Sequence, residues 1–387
     1  MAEFLNKRPM TPATGPDPMA FPGFTLCPPG LRRRLWSGCW SLILVLILLI
    51  PLPRPAAAAL PAGDPVTDPG ALLRDALPMD QRQLRDVQHT MEGSSTDLRA
   101  KRWSRLTQRA RRLQSLLHKG IPAIQADARQ RGVDLEEQLE RLGELLPQLE
   151  QAAVRGDRSA FLAIRSRILQ LIGCMEADLV QGFPFSIPEE YDALPRLLGQ
   201  ARVRLHTTAG DLLTVVDGYS APLTAGAFVD LVQRGFYNGL GFNRAEAFYL
   251  LQTGDPEGEA DGFVDPQTRQ LRTVPLEIRI ASEAQPLYNL TFEDLGLFKE
   301  TPVLPFSARG TLGWAHSGSA VDDGSSQFFV FLFEPELTPA GLNLIDGRFA
   351  AFGYVVDGTD VLDELTSTDR ILEATVISGA DNLHAHG

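Results

Sequence analysis

Phe242 to Pro256 reads FNRAEAFYLLQTGDP, and Ser325 to Phe331 reads SSQFFVF. Aromatic and aliphatic residues cluster there in short runs bounded by Gly, Asp and Ser, which is the pattern of β-strands. The first run also carries one arginine, Arg244, and one glutamine, Gln252, among apolar side chains. Upstream, Val203, Leu205 and Thr207 alternate with polar residues, Ala209-Gly210-Asp211 turns, and Leu212 to Val216 completes a hairpin. Ala221 to Gln233 predicts a helix, Phe349 to Val356 a strand, Val361 to Leu365 a short second helix, and Thr375 to Ser378 a last strand. Many short strands with two helices predict a closed barrel plugged at its ends, its functional face on the outside of the sheet.

The preceding region is helical. Asp80 to Glu92 predicts one helix, broken by Gly93-Ser94-Ser95. Ser95-Thr96-Asp97 then offers an N-cap for a longer helix that should stop at Gly120 and Pro122. Asp134 can cap a third helix, with a leucine stripe from Leu135 to Leu149 and a kink at Pro147. Asp157 can cap a fourth, whose inner side runs from Phe161 through Ile168 and Ile172 to Leu179. Helices this amphipathic predict an antiparallel bundle over residues 80–185. No titratable residue stands out on their apolar faces and no metal-ligand spacing appears, so packing and recognition are expected of the bundle. Residues 60–79 read as a flexible segment, 186–199 as a linker, and 200–380 as the barrel domain.

Residues 1–59 read as a cleavable signal peptide: Arg32-Arg33-Arg34 is basic, Leu42 to Ile50 is apolar, and Ala57-Ala58-Ala59 supplies small residues for cleavage. Membrane contact is expected only through this leader, with the choice between general and twin-arginine export open. Cys27 and Cys39 lie in it, so the mature chain keeps Cys174 alone, read as a buried, inert thiol in a helix. Residues 60–195 hold 18 Lys+Arg and 20 Asp+Glu, whereas residues 196–387 hold 12 and 26. That acid excess excludes nucleic acid as a partner of the barrel. The basic run from Lys101 to Arg112 reads as a solvated or protein-docking face. The acidic stretch from Asp255 to Ile278 lacks the ligand order of an EF-hand and reads as a recognition or spacer loop.

The two opening segments, with APLTAGAFVDLV at Ala221 and FAAFGYVVDG at Phe349, stand in the order and spacing of the cyclophilins, the peptidyl-prolyl cis-trans isomerase family. The resemblance spans Val203 to Ser378 and implies an eight-stranded antiparallel β-barrel with two helices, hence an α+β multidomain chain. The family's reaction crosses a barrier of about 18 to 20 kcal/mol set by amide resonance. A charged donor to the twisted prolyl nitrogen, a dry slot and a fixed flanking peptide can lower it. No nucleophile, metal or cofactor is required, and none is expected here.

Carried over, Arg244 takes the catalytic position and Gln252 the substrate-orienting one, from which it is also expected to orient Arg244. Tyr249, Leu250 and Phe329 take the proline pocket, and Ala315 the contact to the flanking backbone. Leu344, followed by Ile345, stands where a tryptophan is usual, and Phe349 replaces a rim histidine, so the mouth should be more apolar. His206 and His316 read as ordinary histidines, since no proton is transferred.

The acidic insertion, the ELTPAGLNLIDGRFAAFGY run and the helical region together resemble the multidomain cyclophilins of the thylakoid lumen. That branch implies an exported protein of the thylakoid lumen or periplasm, proline-containing clients, and a role in photosystem II assembly and maintenance with its subunits as partners. It leaves two functions open: a prolyl isomerase and foldase, or a catalytically degenerate peptide-binding module or assembly chaperone.

Overall fold

The computed structural model describes residues 65–283, 285–298, 300–333 and 345–385. Residues 1–59, the expected signal peptide, and Leu344 lie outside them. Residues from Leu60 onward form one compact unit containing both the helical region and the barrel. Among the described residues, no helix is long and apolar enough to cross a membrane.

Among the described residues, six α-helices precede the barrel: α1 (Pro69–Ala76), α2 (Arg82–Glu92), α3 (Ser94–Arg99), α4 (Trp103–Gln130), α5 (Glu136–Arg155) and α6 (Arg158–Leu179). Helix α1 corrects the flexible reading of residues 60–79 over Pro69–Ala76. Asp68 accepts from the Gly70 and Ala71 amides, Pro69 occupies the first turn, and Leu72, Leu73 and Ala76 are buried. The expected second helix is split, because Lys101 takes a left-handed φ of 52° between α3 and α4. The Asp97 carboxylate gathers Arg102, Arg105 and Arg109 at 3.7, 3.8 and 3.0 Å there, so part of the basic run is internally paired.

Helix α4 also passes through both expected stop signals. Gly120 faces inward where α2 crosses; a Cβ there would stand 3.1 Å from Gln83 Cβ, so the glycine serves packing. Pro122 and His118, whose carbonyl loses its helical donor, are both exposed, and water can satisfy that carbonyl. Helix α5 likewise continues through Pro147. Asp157 caps α6, accepting from Ala160 N–H at 3.0 Å. Cys174 is exposed, against expectation: Ile172, Met175, Glu176 and Leu179 form the buried stripe, and position 174 falls beside it.

The barrel is one eight-stranded antiparallel sheet. Its strands in spatial order are β11 (Ile371–Ser378), β2 (Gln200–Thr207), β3 (Asp211–Asp217), β10 (Ala351–Asp357), β8 (Thr311–Trp314), β9 (Phe328–Phe331), β5 (Leu250–Thr253) and β4 (Phe242–Glu246). A bridge between Gly241 and Arg370 joins the two outer strands and closes the ring, with Phe242 N–H on Asp369 O at 3.1 Å. Strictly alternating burial along β2 after Gln200 is the signature of one face turned to the core. Two short pairs lie outside the ring: β6 (Glu277–Ile278) with β7 (Leu287–Tyr288), and β1 (Arg196–Leu197) with β12 (Leu383–His384). The predicted linker therefore ends in an ordered strand. Helix α7 (Pro222–Gln233) is buried on nearly every side and plugs one end. The expected second helix is only a 3₁₀ turn, Val361–Asp363.

A buried carboxylate caps the plug. Glu277 Oε2 accepts from the Leu223 and Thr224 amides at 3.0 and 3.1 Å, where the helix dipole favours negative charge. Burial nevertheless dominates and pushes this carboxyl up to about 7. Glu176 corrects the expectation that no titratable residue stands out on the bundle's apolar faces: it lies on the inner face of α6, and burial pushes it up to about 8. A raised acid binds more protons folded than unfolded, so each group costs stability as pH climbs from its ordinary range through its folded value. For Glu277 the window is pH 4.5 to about 7, and the loss is on the order of 3 kcal/mol. Glu277→Gln is therefore expected to melt above the wild type at pH 8 and near it at pH 5. An equal difference at both pH values, measured by thermal melts, would contradict this assignment.

Candidate active site

Arg244 on β4 stands directly across from Gln252 on β5, and Gln252 in turn pairs with Phe329 on β9. Period-two alternation thus lays the guanidinium, the amide and the aromatic ring side by side on the outer face. Arg244 is half exposed and its Nε donates to Glu246 Oε1 at 2.7 Å. Its Cζ lies 6.0 Å from the centre of the Tyr249 ring. Gln252 turns instead to Gln327, donating from Nε2 to Oε1 at 2.8 Å, and Asn243 donates to the same oxygen at 3.1 Å. The side chain that holds Arg244 here is thus Glu246, which corrects the expectation that Gln252 orients the guanidinium. Two residues along a strand share a face, so the Arg244/Glu246 spacing could have revealed this pair.

The apolar residues gather beside this polar row. Leu250, Phe329 and Phe331 are buried in one cluster with Phe306, and Ala315, Ile345 and Phe349 pack against it half-exposed. The Phe329 ring stacks on Phe306 at 5.8 Å and meets the edge of Phe349 at 5.4 Å. Gly313 makes room beneath it; a Cβ there would come within 2.3 Å of the ring. Phe349 also stacks on His316 at 4.6 Å, giving the apolar rim a histidine that sequence reading had set aside. Tyr249 stands at the edge, 39% exposed.

The slot is not empty-faced. Leu72, Leu73 and Ala76 of α1 belong to the same buried cluster, and Phe329 retains only 4% exposure. Helix α1 is held from both sides. Arg279 of the barrel donates to Ala76 O at 3.2 Å, and Arg85 of the bundle donates to Arg74 O at 2.7 Å and Leu77 O at 2.8 Å. These cations sit at the helix C-terminus, where its dipole favours them.

Away from the slot, Asp75, His89 and Glu92 bring ligand atoms within 4.8 Å of one another. Arg74 pairs with Glu92 at 2.8 Å, and Gln88 Nε2 donates to both carboxylates, so these oxygens already serve α1–α2 packing.

Residues 202–381 match the cyclophilin type peptidyl-prolyl cis-trans isomerase family. Residues 68–180 match the PsbQ-like domain of CYP38-like peptidyl-prolyl cis-trans isomerases. A Synechocystis protein, sll0408, named for the thylakoid lumen peptidyl-prolyl cis-trans isomerases, is 46% identical over 329 residues, covering 84% of this chain and 86% of its own. The chain belongs to the cyclophilin-type peptidyl-prolyl cis-trans isomerases. Arabidopsis CYP38, a chloroplastic member, is 40% identical over 338 residues, covering 84% of this cyclophilin and 77% of its own length. Arabidopsis CYP37 is 31% identical over 236 residues, or 56% of this cyclophilin and 47% of its own chain. The two relatives with the broader coverage span the helical region as well as the barrel, so this cyclophilin is of the two-part kind.

Proposed function

We propose that this cyclophilin catalyses cis-trans isomerisation of X-Pro bonds in exported, lumenal proteins, and that it serves assembly and maintenance of photosystem II. The observation that carries the enzymatic reading is the juxtaposition of a half-exposed guanidinium with an apolar slot one strand away. In this reading the proline ring enters the slot of Leu250, Phe329 and Ile345, the flanking backbone lies along Ala315, and Tyr249 and Phe349 form its walls. Arg244 then donates to the prolyl nitrogen as it becomes pyramidal, a hydrogen bond stronger in the twisted state than in either planar one. The lumenal setting rests on the relatives' names, and the photosystem role on resemblance to that branch.

A second reading, peptide capture without turnover, draws on two observations: Glu246 neutralises Arg244, and α1 shares the buried cluster of the slot. We infer that α1 must move before a client enters. Exchange NMR on a proline-containing peptide separates the readings, because it sees binding and interconversion in one sample. Accelerated interconversion is expected; binding without acceleration would replace the enzyme with the capture module.

A further inference from the structure

The tip of the hairpin between β4 and β5 carries a phenylalanine that neither the core nor the proline slot uses. Phe248 is 83% exposed, the most exposed large apolar side chain among the described residues. It also holds a φ of 62°. Of the four non-glycine residues with positive φ among the described residues, the others are Lys101, Arg269 and Asn289, so Phe248 is the single apolar case there. A three-residue hairpin loop closing with Tyr249 N–H on Glu246 O at 3.0 Å demands a left-handed residue near this point, which glycine fills without strain. A bulky side chain in that conformation is an outlier, and such strain collects where a side chain must be presented. Exposure and backbone strain thus coincide at one residue, and that residue immediately precedes Tyr249 at the slot's edge.

Resting on the isomerase reading of this site, we propose that Phe248 forms a subsite for an apolar side chain next to the client's proline. A peptide lying from the slot across Tyr249 toward the hairpin tip would meet an aromatic ring that is 83% exposed. Aromatic contacts of this kind reward aliphatic and aromatic partners and give nothing to a small polar one. The chemical class follows: clients whose proline is flanked by Leu, Phe or a similar residue are preferred to those flanked by Ser or Gly.

The test uses the full chain and two peptides that differ only in Leu or Ser beside the proline, with affinities from chemical-shift titration. Wild type should favour the leucine peptide by about five- to tenfold. Phe248→Asn, which tolerates the left-handed backbone, should reduce that preference to about twofold or less while the thermal midpoint holds or rises. An unchanged preference in Phe248→Asn overturns the subsite. Phe329→Ala probes the underlying reading separately, since it should weaken both peptides alike and leave their ratio intact. Undiminished affinity in Phe329→Ala overturns the proline-slot reading, and wild type that captures neither peptide overturns both.

Discussion

Arg244→Ala is expected to remove catalysed X-Pro isomerisation while leaving the barrel folded. No other cation among the described residues shares the outer face with Gln252 and Phe329 in register, so nothing adjacent can replace the donor. Losing a charge-assisted hydrogen bond made chiefly in the twisted state costs about 1.5 to 3 kcal/mol, a slowing of roughly tenfold to more than a hundredfold. The loss should fall on kcat more than on peptide affinity, because the slot itself is untouched. Stability should barely change: the side chain is 47% exposed and its pair with Glu246 is solvated, worth at most about 1 kcal/mol. Exchange NMR on wild type and variant measures both effects, and equal rates would remove Arg244 from the mechanism.

Much of the fold was legible because local chemistry and tertiary placement agree. Val203, Leu205 and Thr207 alternate in sequence and in burial, and the apolar helix from Pro222 is buried because it plugs a barrel. The Asp157 cap works as a local signal should, since its partner amide lies three residues away. Failures arose where distant elements decide. Gly120 and Pro122 are stop signals only for an isolated helix; in α4 one is needed for contact with Gln83, and the other faces water. Helix α1 is short and opens on Pro69-Gly70, weak local signals, and its leucines are buried against the barrel far away in sequence. Cys174 missed the buried stripe by one position, an error that 3.6-residue periodicity makes easy. At the site, Arg244 and Gln252 do face each other across the strands, whereas Glu246 took the guanidinium because it lies on the same face two residues on.

Replacing Leu72 and Leu73 by aspartate should release α1 from the barrel and raise peptide affinity. Both leucines are 6% exposed in the cluster that holds Leu250 and Phe329. Burying each contributes about 1.5 to 3 kcal/mol, and placing carboxylates there without partners adds to the cost. The hydrogen bonds from Arg279 and Arg85 to the helix C-terminus would remain, at about 1 kcal/mol each in net terms. The closed arrangement thus loses more than those contacts can hold, and the population shifts toward an uncovered slot. Apparent affinity scales with the fraction of molecules that are open, so a gain of tenfold or more is expected if closure dominates in the wild type. The milder Leu72→Ala/Leu73→Ala pair should give a smaller gain in the same direction, which guards against misreading a folding defect. Limited proteolysis should find new cuts near residues 69–76 in the aspartate variant, with the helical far-UV signal largely retained. Unchanged peptide affinity alongside those new cuts would mean that α1 lies on the barrel without governing the slot. The Arg244 comparison would then have to be made on a site already open to its clients.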